Sequence, residues 1–414
     1  MAGDCGTFSF NPTTGAWGYT LANSSIAVQA LTAAQHVTDT PVVTSLDGSA
    51  DKAIVVTING TAEPVFLIDT SKPDALIGSE FNDTLLGLGG LDTLIGGGGD
   101  DAIYAHAGDS ISGGAGRDLL YMADDTPESL AIDTASIEYV TAGFGNDTFI
   151  GAGQTQTVEF YASGSNDSVS GGSGNDRLYV DSSDSLSGGS GFDAAYIIGG
   201  TGMAINLAAT SFEWITDFVA GADTLDGSRT TTRVELYAGG GNDLLADGSA
   251  ADLIFAGSGA DTLVGGAGDD GLIGEGCADS IIGGDGNDRI YADTADTVDG
   301  GNGYDILYMG TDAAFTADLG AIHVEWLLAR AGNDSVSSST ATPIQVSVNA
   351  GGDTLSGGGD NDTLWGGEGA DSIAGNAGKD TLVGEAGADT ITGAAGNDGL
   401  FGGNGADVFV LITG

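Results

Sequence analysis

From Val348 to Val410 the chain repeats one nine-residue unit seven times, with an aspartate at the same place in each: Asp353, Asp362, Asp371, Asp380, Asp389, Asp398 and Asp407. The unit reads Gly-Gly-x-Gly-x-Asp-x-U-x, as in Gly366-Gly367-Glu368-Gly369-Ala370-Asp371-Ser372-Ile373-Ala374. The U position is always apolar: Leu355, Leu364, Ile373, Leu382, Ile391, Leu400 and Phe409. A strict short period of this kind predicts a solenoid. The glycines let the turn backbone take positive φ and bring its carbonyls together. The three residues after each Asp, such as Thr381-Leu382-Val383, alternate outward and inward, which sends Leu382 into a core. Two units make one coil of 18 residues with its turns on opposite sides. Asp353, Asp371, Asp389 and Asp407 then stack on one edge, and Asp362, Asp380 and Asp398 on the other.

Such a stack is unstable without a cation. Coils of a parallel roll lie about 4.8 Å apart. Two carboxylates at that separation repel by roughly 3 kcal/mol at an effective dielectric of about 20. Several such pairs would exceed the ~5–15 kcal/mol that stabilises a domain. A hard, oxygen-seeking ion between turns reverses the sign. Carboxylates and turn carbonyls suit Ca2+, many ions per chain, and a ligand ring without His or Cys argues against zinc or copper.

Two earlier runs share the period. One holds Asp83, Asp92, Asp101, Asp109 and Asp118; the other holds Asp243, Asp252, Asp261, Asp270, Asp279, Asp288, Asp296 and Asp305. The step is nine except at 101→109 and 288→296, where it is eight. The candidate metal ligands are the seven aspartates of the last run with Asp83, Asp92, Asp101, Asp118, Asp243, Asp252, Asp261, Asp270, Asp279, Asp288 and Asp305. Asp147, Asp167, Asp176, Asp193, Asp223 and Asp334, outside the regular runs, complete the set.

A longer repeat is superimposed. Asp101-Ala102-Ile103-Tyr104 through Asp118-Leu119-Leu120-Tyr121-Met122 returns as Asp176-Arg177-Leu178-Tyr179 through Asp193-Ala194-Ala195-Tyr196-Ile197, and again from Asp288 to Met309. Each copy is followed by a Gly-poor stretch (about 122–141, 197–219 and 309–331) ending in Glu138-Tyr139, Glu213-Trp214 or Glu325-Trp326. Apolar alternation persists there, so these stretches are expected to continue as coils with longer excursions on one side. Tyr139, Trp214 and Trp326 are expected to pack against the roll; a sugar-stacking column is the alternative.

These repeats resemble the RTX, or haemolysin-type calcium-binding, family over most of residues 78–410. The resemblance implies an all-β, calcium-binding parallel β-roll that is unfolded where calcium is scarce and folded outside the cell. It also implies type I secretion through an uncleaved C-terminal signal. The chain stops at Leu411-Ile412-Thr413-Gly414, directly after the last repeat, which leaves the place of that signal open or marks a piece of a longer polypeptide.

Residues 1–64 read differently. Thr7 to Phe10 and Ala16 to Thr20 flank an Asn11-Pro12-Thr13-Thr14-Gly15 turn, and Thr40 to Leu46 pairs with Ala53 to Asn59 around Asp47-Gly48. Gly15-Ala16-Trp17-Gly18-Tyr19-Thr20-Leu21, Val28-Gln29-Ala30-Leu31 and Thr57-Ile58-Asn59-Gly60-Thr61 resemble the VCBS repeat, a cadherin-like module of bacterial surface proteins. The expected organisation is a small, incomplete β-sandwich (1–64), a linker (65–77) and a β-roll (78–414) of three superrepeats at about 78–175, 176–287 and 288–414.

The chain has 59 acidic and 9 basic residues, a net charge of −50. That excludes nucleic acid as a partner, because too few cations remain to neutralise phosphates. No apolar run is long enough to span a bilayer. His36, His106 and His323 are isolated, no Gly-x-Ser-x-Gly elbow occurs, and the repeat already accounts for every paired carboxylate. No catalytic set is read. The expected function is a secreted structural protein of the bacterial surface or matrix that self-assembles head to tail. The alternatives are a calcium-dependent adhesin or binder of cell-surface or matrix polysaccharide, or the tail of a larger secreted enzyme or toxin.

Overall fold

A computed structural model describes residues 5–11, 14, 16–22, 36–44, 51–59, 64–162 and 164–410. The chain divides into two compact units, Met1–Ala123 with Thr134–Tyr139, and Asp124–Asp133 with Val140–Gly414.

In the first unit, Gly6–Phe10 pairs antiparallel with Trp17–Leu21, as the turn residues between them predict. Strand Val42–Thr44 pairs with Asp51–Ala53, while Val56–Asn59, expected to pair with it, pairs instead with His36–Asp39. Tyr19 donates its hydroxyl proton to the buried Asp39 carboxylate at 2.5 Å. Residues 23–35 and 45–50, which the expected sandwich includes, lie outside the described residues.

The roll begins earlier than the repeat motif. Phe66–Ile68 pairs in parallel with Thr84–Leu86, which pairs with Ala102–Ala105 and, through it, with Leu119–Met122. On the opposite side Ala75–Ile77, Thr93–Gly98 and Ser110–Ala115 form a second parallel sheet. The expected linker at 65–77 is therefore a coil of the roll. Its turn, Asp69-Thr70-Ser71-Lys72-Pro73-Asp74, has none of the motif's glycines, but Phe66-Leu67-Ile68 and Ala75-Leu76-Ile77 keep the out-in-out order that a core needs.

In the second unit a single parallel sheet runs from Glu159–Tyr161 to Gly399–Gly405 without a break in pairing. The facing side is divided into three sheets, from Ser129–Ala131 to Ser185–Gly189, from Ala204–Asn206 to Thr297–Asn302, and from Thr316–Asp318 to Val408–Val410. U residues stack in register between the two sides, as in Leu364↔Leu382↔Leu400, and all but the last of these three are fully enclosed. Register is fixed because a slip of one residue would turn this apolar column to solvent.

The Gly-poor stretches carry the excursions on the divided side. Short helical turns, Ile132–Ala135 and Leu207–Thr210, follow the first strand of a new sheet. Asn206 caps the second, its Oδ1 accepting from the Ala209 amide at 3.1 Å. Each excursion ends on a residue with positive φ, Ser136 (51°), Ser211 (59°) or His323 (51°), two positions before Glu138, Glu213 or Glu325. This shared geometry supports duplication of whole superunits.

Outside the long sheet, aromatic side chains stack along the coil axis. Tyr161 to Tyr179 is 4.2 Å between centroids, Tyr179 to Tyr196 4.8 Å, Tyr237 to Phe255 4.8 Å and Tyr291 to Tyr308 4.6 Å. Trp214 stacks on Tyr237 at 5.2 Å, and Tyr139 lies against Tyr121 at 6.2 Å, so these two aromatics pack on the roll as expected. Each such pair contributes about 0.5–1.5 kcal/mol beyond burial.

The column of U residues gives the first prediction. Leu364→Ala should lower the stability of the calcium-loaded roll by about 2–5 kcal/mol, read as a lower urea midpoint. Ser372→Ala, on an exposed face, should stay within about 0.5 kcal/mol. Equal midpoints for the two variants would contradict the core assignment.

Candidate metal centre

Every candidate aspartate occupies the same place: the last turn residue before a strand. Its Oδ1 accepts the backbone N–H of the residue one coil earlier. Asp353 N–H donates to Asp371 at 2.8 Å, Asp371 to Asp389 at 3.0 Å and Asp389 to Asp407 at 3.3 Å. On the other edge Ile344 donates to Asp362 at 2.9 Å, Asp362 to Asp380 at 2.9 Å and Asp380 to Asp398 at 3.1 Å. The two edges are those that the 18-residue coil predicts. The remaining candidates accept in the same way: Asp83, Asp92, Asp101 and Asp118 in the first unit, and in the second Asp147, Asp167, Asp176, Asp193, Asp223, Asp243, Asp252, Asp261, Asp270, Asp279, Asp288, Asp305, Asp334 and Asp353. All are buried except the half-buried Asp398 and Asp407.

The second carboxylate oxygen is the informative one. In Asp101, Asp118, Asp176, Asp270, Asp305 and Asp389, among others, Oδ2 is buried and has no hydrogen-bond partner. It points into a space that the first glycine of its own turn leaves open. A Cβ at Gly265 would lie 2.5 Å from the Gly283 carbonyl oxygen and 2.8 Å from Asp270 Oδ2. Gly357 and Gly384 face the same two kinds of oxygen, the carbonyls of Gly375 and Gly402 lying 2.7 Å from the added atom. This glycine is needed for space rather than for φ, which is not positive there. A carboxylate oxygen and a carbonyl oxygen of the next coil thus converge beside it. That donor set, all oxygen and partly anionic, fits Ca2+.

The ladders have defined ends, which the nine-residue period does not mark. Glu138, Glu213 and Glu325 replace the aspartate and accept from the N–H groups of Asp118, Asp193 and Asp305 at 3.0, 2.9 and 2.9 Å. The longer side chain spans the extra residues of the excursion, which is why a search for Asp at fixed steps passes over it. At the other end the donor belongs to an apolar residue: Val65, Val158, Val234 or Ile344. Asp176 is therefore the first aspartate of its ladder, whereas Asp288 sits inside one, between Asp270 and Asp305.

The eight-residue units close differently. Oδ2 of Asp109, Asp184 and Asp296 accepts an amide three residues back in its own turn, from His106 at 2.8 Å, Asp181 at 2.9 Å and Asp293 at 2.6 Å. These turns satisfy Oδ2 internally, as the Gly248 and Gly358 amides also do for Asp252 at 3.3 Å and Asp362 at 2.7 Å.

Burial, with neighbouring carboxylates adding to it, raises the pKa of Asp118, Asp270, Asp305 and Asp371. Asp118 and Asp371 are pushed up to about 6 and Asp270 and Asp305 to about 7, opposed in each by the amide hydrogen bond on Oδ1. Among the described residues, no helix is long and apolar enough to cross a membrane. The family model of the RTX calcium-binding nonapeptide repeat matches residues 77–109, 107–121, 161–195, 237–272, 273–307, 347–382 and 374–409, together just over half of the chain. No curated protein matches it.

Two predictions follow from the turn chemistry. Gly265→Ala should raise the calcium concentration needed for folding at least several-fold, because its Cβ would fill the space beside Asp270 Oδ2. Gly359→Ala, whose nearest neighbour would be 3.5 Å away, should leave the midpoint unchanged; circular dichroism during a calcium titration separates the two. The second concerns pH without calcium. Folded pKa values of about 6 to 7 for Asp118, Asp270 and Asp305 lie above the ~3.9 of an unfolded aspartate. Protonation then favours the fold: its contribution is fully present below about pH 4 and is lost as pH rises through 6 to 7. In EDTA the β signal should be stronger at pH 5 than at pH 8, and a signal that grows with pH would refute this linkage.

Proposed function

Because the chain belongs to the RTX calcium-binding nonapeptide repeat family, we propose that it is a secreted structural protein whose aspartate turns take up Ca2+ outside the cell, and that the hardened roll assembles with further copies into a surface layer, fibre or matrix. The protein binds calcium as its repeats do. The ligand assignment to individual aspartates rests on one observation above all, the row of buried Oδ2 atoms without partners.

Each part of the repeat has a task in this reading. The Oδ1 bond to the preceding coil holds the carboxylate still, and the first glycine keeps the space beside Oδ2 open. The U column sets coil register, so that oxygens from successive turns meet at one point. Bound Ca2+ supplies the positive charge that turns stacked repulsion into attraction. Affinities on the order of 10⁻⁴–10⁻³ M, usual for extracellular modules, suit such a role.

Assembly is the finer part of the proposal. Copies carrying a charge of −50 repel one another, and calcium loading removes much of that barrier. A polysaccharide-gripping role has less support, because the outer aromatic rings spend faces on each other at 4.2–5.2 Å. The role is structural rather than catalytic: the carboxylates that acid–base chemistry would use are tied into turns.

The test is circular dichroism of the full chain. EDTA at neutral pH should give coil, and millimolar Ca2+ should restore β structure. Electron microscopy of the calcium-loaded sample should then show ordered assemblies. An unchanged β signal in EDTA would sink calcium-dependent folding, and monodisperse particles would sink assembly alone.

A further inference from the structure

We propose that Asp247, Asp252 and Asp270 form a three-carboxylate cation site, different in kind from the single-aspartate turns, which holds the tightest-bound cation of its ladder. The inference rests on the calcium reading above and deepens it.

Five residues before a ligand aspartate the repeat usually has Gly, where a Cβ would crowd Oδ2 and a carbonyl; Ala, Val or Phe stands there before Asp147, Asp167, Asp223, Asp243, Asp261, Asp334 and Asp353. Five residues before Asp252 the chain has Asp247. Its side chain is enclosed, with 2% of the residue exposed, and neither Oδ1 nor Oδ2 has a partner. One carboxylate oxygen from each of Asp247, Asp252 and Asp270 lies within 4.8 Å of the others. Calcium holds its oxygens at about 2.3–2.6 Å, so ligands across one ion are up to about 5 Å apart. The spacing fits. A neutral buried acid in this position would need an acceptor for its proton, and Asp247 has none.

The place in the fold explains the extra acid. Asp252 is the first aspartate of its ladder, and the residue one coil earlier is Val234, which brings an N–H but no carboxylate. Asp247 supplies negative charge at the turn where the ladder lacks it. The first unit repeats the arrangement at the head of another ladder: Asp69 stands five before Asp74, and Asp69, Asp74 and Asp92 are clustered at the same spacing. Both occurrences lie at ladder heads, while the heads at Asp83, Asp176 and Asp362 keep Gly78, Gly171 and Gly357 at that position, so the added acid marks two particular first turns. Affinity for Ca2+ rises with the number of charged ligands, so these sites fill first.

Isothermal titration calorimetry of the metal-free full chain with Ca2+ tests the proposal on wild type, Asp247→Gly and Asp247→Asn. Asp247→Gly restores the repeat's own glycine, so the turn remains able to fold; Asp247→Asn keeps the shape and removes the charge. Wild type should show a small tight class ahead of the bulk of the sites. Each variant should lose one ion from that class, weakened at least tenfold, while bulk calcium-dependent folding persists by circular dichroism. A tight class retained in full by either folded variant would overturn the site and leave the calcium reading intact. A wild-type chain that neither binds Ca2+ nor folds with it would overturn both.

Discussion

The structure depends on how one carboxylate is divided. Oδ1 of each ladder aspartate is fixed by an amide of the preceding coil, at 2.7 Å for Asp83 to Asp101 and 2.8 Å for Asp270 in the next unit. In most of them Oδ2 is left buried with nothing to satisfy it, in many beside a glycine. An unpaired buried acceptor costs about 1–3 kcal/mol, more if charged, and the deficit recurs at nearly every turn. A parallel sheet with a packed apolar column cannot absorb that alone. The same hydrogen bond that organises the backbone thus leaves at most turns an oxygen whose natural partner is a cation.

Glycine at the first position of the turn is best understood in these terms. Gly266 and Gly284, one residue further on, adopt positive φ and need glycine for conformation. Gly265 and Gly283 do not; they are glycine because oxygens crowd the place where a Cβ would be. The repeat therefore encodes a cavity for an ion as well as a bend. Asp247, where that cavity is given up to another carboxylate, is the informative departure from the pattern.

Much of this was legible in the sequence. The nine-residue phase placed Asp353 to Asp407 on two edges, and the alternation around Leu364 and Leu382 placed the core, because both follow from periodicity alone. The coil at 66–77 is not legible there, since its turn lacks glycine and its strands are only three residues long. Glu138, Glu213 and Glu325 were noted as landmarks but not as ladder members. Their steps of 20 residues from Asp118, Asp193 and Asp305 follow from excursions whose length only the fold explains. Asp247 and Asp69 stand at the first position of the unit, where an acid reads as an ordinary polar substitution and only the fold brings it to a ligand aspartate.

The ladder ends separate two properties that a uniform repeat would couple. Backbone pairing continues past Glu213 and Glu325, from Ala194 through Trp214 to Glu235 and from Ile306 through Trp326 to Gln345. The carboxylate ladder does not, because the next residues in line are Val234 and Ile344, which have no carboxylate to offer. On the facing side the ladders stop at Asp184 and Asp296, whose Oδ2 atoms are already satisfied within their own turns. Electrostatic coupling between turns is of nearest-neighbour type, as in other solenoids, so each ladder is a separate block for cation binding. The core and the long sheet remain shared across blocks. Mechanical continuity is thus carried by the apolar column and backbone pairing, while repulsion in the metal-free chain is confined to short runs of acids instead of accumulating along the whole roll.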